Sequence, residues 1–230
     1  MPVKAEASSR QGMFADVAAR VAAVRARIGE LAGGRSVRIV AVTKSFGADA
    51  VDAAVAAGLT AIGENYAQEL VAKAASGAGG GAAEWHFIGA VQRNKVARLA
   101  PFVAVWQTVD RPAVAEAIAR HSPGASALVQ VNLSGAPQRA GCAWDDVGTV
   151  VGAARDAGLT VVGLMGVGPE GAPDPALFRR LAGMTAALGL AECSMGMSAD
   201  YEVAVAEGST MVRLGSVLFG PRPARTDLRR

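Results

Sequence analysis

One phrase occurs three times in this chain, and it restricts the fold more than any other feature. "AAGLTAIGEN" (56–65), "DAGLTVVGLM" (156–165) and "AEGSTMVRLG" (206–215) each run from a helical stretch into a glycine, then to a threonine and an apolar run. A glycine just past the last helical residue takes the left-handed conformation that closes a helix. An apolar run entered straight afterwards fits a strand buried on both faces, as in parallel sheets. The phrase is a helix-to-strand joint, and its recurrence predicts alternating helices and parallel strands.

"VRIVAV" (37–42), "WHFI" (85–88), "VAVWQTV" (103–109), "ALVQVNL" (127–133) and "ECSM" (192–195) supply further strands, with alanine-rich helical stretches between them. The total is about eight, the pattern of a (β/α)8 TIM-type barrel in the α/β class. A doubly wound open sheet is the competing arrangement. Residues 13–31 place Met13, Val17, Val21, Val24, Ile28 and Leu31 on one stripe with charged residues off it, an extra N-terminal helix. The glycine-rich "SGAGGGAAE" (76–84) reads as a flexible loop, so one domain is expected over 1–230, with flexible ends at 1–12 and 223–230.

The net charge of +3 rests on Arg222, Arg225, Arg229 and Arg230 near the end of the chain; without these four it would be −1. We read that tail as a solvated terminus and expect neither a nucleic-acid nor a membrane partner. "MPVKAEASSRQG" contains no long apolar stretch, which predicts neither a secretory signal nor a membrane span. Cys142 and Cys193 match no metal-ligand spacing and suit a reducing compartment. The expectation is a cytoplasmic monomer without a metal.

In such a barrel the working residues come from the carboxyl ends of strands and the loops that follow. Lys44 follows the first strand almost directly. Its neutral amine would be a nucleophile for an aldehyde, while a lysine simply reaching solvent is the competing reading. Asn65, after the second strand, is a donor to a ligand oxygen or a cap for the next helix. His86, within the third, is either a core histidine bonded to backbone or a site residue. Asn132 and Ser134 end another strand. "SMGMSAD" (194–200) and "MVRLGSVLFG" (211–220) place Gly196, Ser198, Gly215 and Ser216 in the last two strand-to-helix loops, where backbone N–H groups and hydroxyls suit a phosphate. Arg213 stands inside an apolar strand and requires a partner; a structural salt bridge is the simplest one. An amine, a phosphate cradle and an inward arginine together describe a site for a phosphorylated aldehyde, of which pyridoxal phosphate is the commonest.

"AVTKSFGADAVDAAVAAG", "GENYAQEL", "EWHFIGAVQRNKV", "VQVNLS", "GLMGV" and "SMGMSADYEVAVAEGSTMVRLGSVLFGPR" occur in the order found in one family. On these motifs the chain resembles the pyridoxal phosphate homeostasis proteins, whose barrel is similar to the N-terminal domain of alanine racemase. The resemblance implies an internal aldimine on Lys44, a phosphate held by Ser198, Gly215 and Ser216, Arg213 facing the pyridine nitrogen, and Asn65 and His86 in the pocket. It implies a carrier or regulator of the cofactor without robust catalysis, with apo-enzymes as partners. A small amino-acid racemase is the alternative, and a Schiff-base aldolase a more distant one. "QRNK", "SGAPQRAGC" and "GLMGVGP" depart from the family pattern, with Arg139 offering a positive charge in the second.

Overall fold

All three joints close their helices as the glycine requires. In the computed structural model, which describes residues 14–169 and 171–221, Gly58, Gly158 and Gly208 have φ of 76°, 92° and 107°. The N–H of the residue after each glycine reaches five residues back: Leu59 to the Ala54 carbonyl at 2.9 Å, Leu159 to Ala154 at 3.0 Å, Ser209 to Ala204 at 2.9 Å. This is the bonding of a Schellman closure, and it turns the chain directly into the next strand.

Helix α1 (Val17–Leu31) precedes strand β1 (Arg38–Val42), and the alternation then continues through α2 (Ala48–Ala56), β2 (Ala61–Glu64), α3 (Ala67–Ala75) and β3 (Glu84–Phe87). Next come α4 (Val96–Leu99), β4 (Val103–Val109), α5 (Pro112–His121), β5 (Ser126–Val131), α6 (Val147–Asp156) and β6 (Thr160–Gly166). The chain ends its regular structure with α7 (Pro175–Ala187), β7 (Glu192–Ser194), α8 (Tyr201–Ala206), β8 (Met211–Leu214) and α9 (Ser216–Phe219). The strands pair in sequence order and close into a parallel barrel, β8 against β1. The open sheet is thereby excluded.

Observed strands match the expected ones within two residues, with β5 departing most. It stops at Val131 because the Asn132 side chain folds back, donating to the Ala136 carbonyl at 2.8 Å and accepting from the Gly135 N–H at 3.1 Å. Residues 76–81 form successive turns, with Gly77, Gly79, Gly80 and Gly81 at positive φ, and Glu84 already begins β3. Asp52 accepts from the Gly79 N–H at 2.7 Å and ties this segment to α2.

Val17, Val21, Val24 and Ile28 bury the apolar stripe of α1 against α2, α8 and α9, so the extra helix covers the seam where β8 meets β1. The expected start of this helix at Met13 and the four terminal arginines lie outside the described residues. The main core lies between sheet and helices, with Ile62, Leu70, Trp106, Phe178 and Leu181 fully buried. Each such side chain contributes roughly 1.5–3 kcal/mol by leaving water. Two smaller apolar clusters, Val40 with Ala61 and Met211, and Val105 with Leu128 and Met165, stand apart from it. Strand alternation places both inside the barrel. Buried polar residues share that interior: His86, Gln107, Ser194 and Arg213.

Candidate functional site

Lys44 lies two residues beyond β1, half-buried, in a turn held on both sides. Before it, the Thr43 hydroxyl donates to Glu64 Oε1 at 2.6 Å, and the Lys73 ammonium donates to the same oxygen at 2.6 Å and to the Thr43 carbonyl at 2.8 Å. After it, the Ser45 N–H donates to Glu69 Oε2 at 2.8 Å, and Glu69 lies 3.6 Å from Lys73. Ser45 is the one described non-glycine residue at positive φ, 67°. Phe46 then packs on Phe219 and Phe14, with ring centroids 5.4 and 6.0 Å away. The turn that carries Lys44 is fixed by a buried ion pair beneath it and an aromatic cluster beside it.

Glu64 is fully buried, and burial pushes its carboxyl above the usual carboxylate range, opposed by Lys73 and Thr43. Its second oxygen has no hydrogen-bond partner. In the sequence Glu64 directly precedes Asn65 in "AAGLTAIGEN", and neither it nor Lys73 is read as a site residue. The available signal was Lys73 three positions after Leu70 on α3: both face inward, and a buried lysine requires an acid.

The last two strand-to-helix loops are cross-tied. Ser198 Oγ accepts from the Gly215 N–H at 3.2 Å and from the Val217 N–H at 3.3 Å. Gly196 has φ of 95°, and a Cβ there would lie 2.7 Å from that of Ala204. A Cβ on Gly215 would approach the Val42 carbonyl oxygen at 3.3 Å, so the end of β8 packs closely on the end of β1. Ser216 is exposed as the first residue of α9. Ser198, Gly215, Ser216 and Lys44 thus occupy the carboxyl ends of three adjacent strands, β7, β8 and β1.

Arg213 enters from β8 and is 4% exposed. Its NH1 donates to the Ser194 carbonyl at 2.8 Å and to Ser194 Oγ at 2.7 Å, and its NH2 donates to the Gly166 carbonyl at 2.8 Å. Hydrogen-bond partners of this cation among the described residues are therefore neutral, in place of the expected salt bridge. Burial pushes the guanidinium down to about 10, with Asp200 opposing, and it remains charged at neutral pH.

Asn65 follows β2, beside the Lys44 strand, and lines a cavity of about 250 Å³ with Tyr66, Gln92 and Lys95. It does not cap α3, whose N-cap is Tyr66 without a side-chain bond. His86 presents no ring nitrogen to the rim: it is fully buried, bonded through Nε2 to Glu84 at 3.1 Å and through Nδ1 to Gln107 at 2.7 Å. Ser134 donates to Asn132 Oδ1 at 3.2 Å, so these two residues build the loop after β5. Both cysteines are free thiols in buried positions. Among the described residues, no group of three or more His, Cys, Asp or Glu could hold a metal, and no helix is long and apolar enough to cross a membrane.

Over residues 16–223 the chain matches the family model described as alanine racemase, N-terminal domain. It is 39% identical over 221 residues to the pyridoxal phosphate homeostasis protein of Pseudomonas aeruginosa, covering 90% of this chain and 96% of that one. The Deinococcus radiodurans protein of the same name is 40% identical over 210 residues, covering 88% and 97%. The chain belongs to the pyridoxal phosphate homeostasis protein family. A solved structure, PipY from Synechococcus elongatus with pyridoxal phosphate bound, is similar with a TM-score of 0.79 at 31% identity, covering 89% of this chain and all of that one.

Proposed function

We propose that this protein holds pyridoxal phosphate and acts in its homeostasis as a carrier or regulator, through a covalent link between Lys44 Nζ and the aldehyde carbon. The observation that carries this reading is the convergence at β7, β8 and β1. A lysine on a fixed turn lies beside loops whose backbone donors already meet an oxygen, with a buried cation below. That donor set fits a phosphate ester: two N–H groups that share Ser198 Oγ can serve an anion, and Ser198 and Ser216 bring hydroxyls. PipY with pyridoxal phosphate bound and the names of the bacterial relatives support the same ligand.

Bound pyridoxal phosphate supplies an electron sink when its ring nitrogen is protonated. Arg213 would face that nitrogen and oppose the proton, because a like charge nearby disfavours the charged form. The residues are then suited to holding the cofactor and poorly suited to fast chemistry on it. Tyr201, one of two tyrosines, is a poor candidate base: burial raises its hydroxyl pKa, as does neighbouring Glu202. Delivery to apo-enzymes, a cytoplasmic location and a monomeric state belong to the same reading.

Equilibrium binding of pyridoxal phosphate to the wild type and Lys44→Ala, followed by the visible chromophore, tests the site. The wild type should turn yellow and the variant should not. Chiral analysis across many amino acids tests the carrier role. Robust interconversion lost in Lys44→Ala would replace it with the racemase.

A further inference from the structure

Arg213 is one end of a hydrogen-bonded chain that runs the height of the barrel. Its NH1 donates to Ser194 Oγ at 2.7 Å, and the Ser194 hydroxyl donates to Gln107 Oε1 at 2.7 Å. Gln107 Nε2 meets His86 Nδ1 at 2.7 Å, and His86 Nε2 meets Glu84 Oε1 at 3.1 Å. Glu84 is the first residue of β3, paired at 3.2 Å with Arg38, the first of β1, while Ser194 is the last of β7. The chain therefore joins the amino-terminal rim of the barrel to its carboxyl-terminal rim.

The chemistry of its ends fixes the outer bonds, and the Gln107 amide sets the inner ones. A guanidinium can only donate, so Ser194 Oγ accepts from it, and the Ser194 hydroxyl in turn donates to Gln107 Oε1. The Gln107 amide nitrogen then faces His86, whose Nδ1 must accept, leaving the proton on Nε2 to go to Glu84. An ionised carboxylate only accepts, which agrees at the far end, and the His86 bond holds the Glu84 carboxyl below the usual range. All four bonds point from Arg213 towards Glu84. The buried cation connects to a carboxylate by relay, and its own hydrogen-bond partners stay neutral.

We propose that Glu84, His86, Gln107 and Ser194 form a polarised relay that positions Arg213 beneath the ligand, making Gln107 and His86 positioning residues remote from the rim. Its effect on cofactor binding rests on the function proposed above; its effect on Arg213 does not. The relay puts a proton on His86 Nε2 and leaves Nδ1 as the acceptor. It also makes the Gln107 amide irreplaceable by an apolar side chain of similar size.

The purified full chain without added cofactor is the sample. Long-range nitrogen NMR reads the His86 tautomer, with His121→Ala separating the two histidines, and exchange of the Arg213 guanidinium protons reads its anchoring. Wild type should show the Nε2–H tautomer. Gln107→Leu should speed Arg213 exchange about tenfold, as expected for a lost bond in a chain ending on a charged group. Gln107→Glu keeps an acceptor for Ser194, so it should restore slow exchange while His86 gains a proton on Nδ1. A wild-type Nδ1–H tautomer, or exchange as fast in Gln107→Glu as in Gln107→Leu, would overturn the relay. Unchanged exchange in a folded Gln107→Leu would overturn it too. If Gln107→Leu does not fold, the wild-type and Gln107→Glu tautomers decide. With pyridoxal phosphate added, affinity should drop about tenfold in Gln107→Leu and recover in Gln107→Glu. A chain that binds no pyridoxal phosphate would refute the cofactor reading and leave the tautomer and exchange results to judge the relay.

Discussion

Lys73→Met removes the ammonium that holds the Lys44 turn from below. In the wild type that ammonium contacts Glu64 Oε1 at 2.6 Å and the Thr43 carbonyl at 2.8 Å, and Glu64 is fully buried with its other oxygen unpartnered. Breaking a buried pair by deleting one partner costs about 3–5 kcal/mol, because the remaining charge is stranded. The bond from Thr43 survives, so we expect about 3 kcal/mol, a large share of the roughly 5–15 kcal/mol that holds a typical domain together. Adding Glu64→Gln should recover most of the loss, since a neutral amide leaves no buried charge.

The loss should depend on pH with a defined sign. Burial raises the folded-state pKa of Glu64 above its reference of 4.5, so stability from this group is present below that reference and is lost as pH rises through the folded value. Deleting Lys73 removes an influence that lowers the folded value, which extends the loss to higher pH. Urea unfolding followed by the fluorescence of buried Trp85 and Trp106 gives the stability at each pH. The deficit should be largest near pH 8 and shrink towards about pH 5. A deficit below about 1 kcal/mol near pH 8, or one of equal size at both ends, would refute the argument.

Three further outcomes follow from the same geometry. Gly89→Ala drives a Cβ into the Asn65 carbonyl oxygen, a backbone atom that cannot step aside, and should cost about 3 kcal/mol and lower Tm by about 6 °C or more; an unchanged melting curve would contradict it. Burial pushes both the Cys142 and Cys193 thiols up to about 11, so a thiol reagent near neutral pH should label the native protein slowly and the urea-unfolded chain at once. Ser45, at φ 67°, should accept glycine with little change in stability, while Ser45→Val should lose about 1–2 kcal/mol in the same urea assay.

The barrel was legible in the sequence because its joints repeat: a glycine with a forced conformation, then a strand buried on both faces, leaves little freedom. The Lys44, Ser198, Gly215 and Ser216 neighbourhood was legible for a related reason, since barrel topology carries strand ends to one rim whatever the side chains are. What lay beyond reach was partnership. Nothing local says that Glu64 and Lys73, nine residues apart on different elements, form a buried pair under Thr43. Arg213 was expected to find a salt bridge, and it finds carbonyls and a hydroxyl, supplied by the ends of the two preceding strands, Gly166 of β6 and Ser194 of β7. His86 was read against backbone or ligand, yet both its partners are side chains. The missed signal was a polar residue at an inward position of an otherwise apolar strand, which Gln107 and Ser194 both show.

The central claim is that Lys44 is the residue that holds pyridoxal phosphate. Borohydride reduction of the protein saturated with the cofactor, followed by peptide mapping, tests it without reliance on activity. The account predicts one reduced cofactor per chain on the peptide containing Lys44, and none in Lys44→Ala. An adduct on Lys73 or Lys95, or an undiminished adduct in Lys44→Ala, would contradict it.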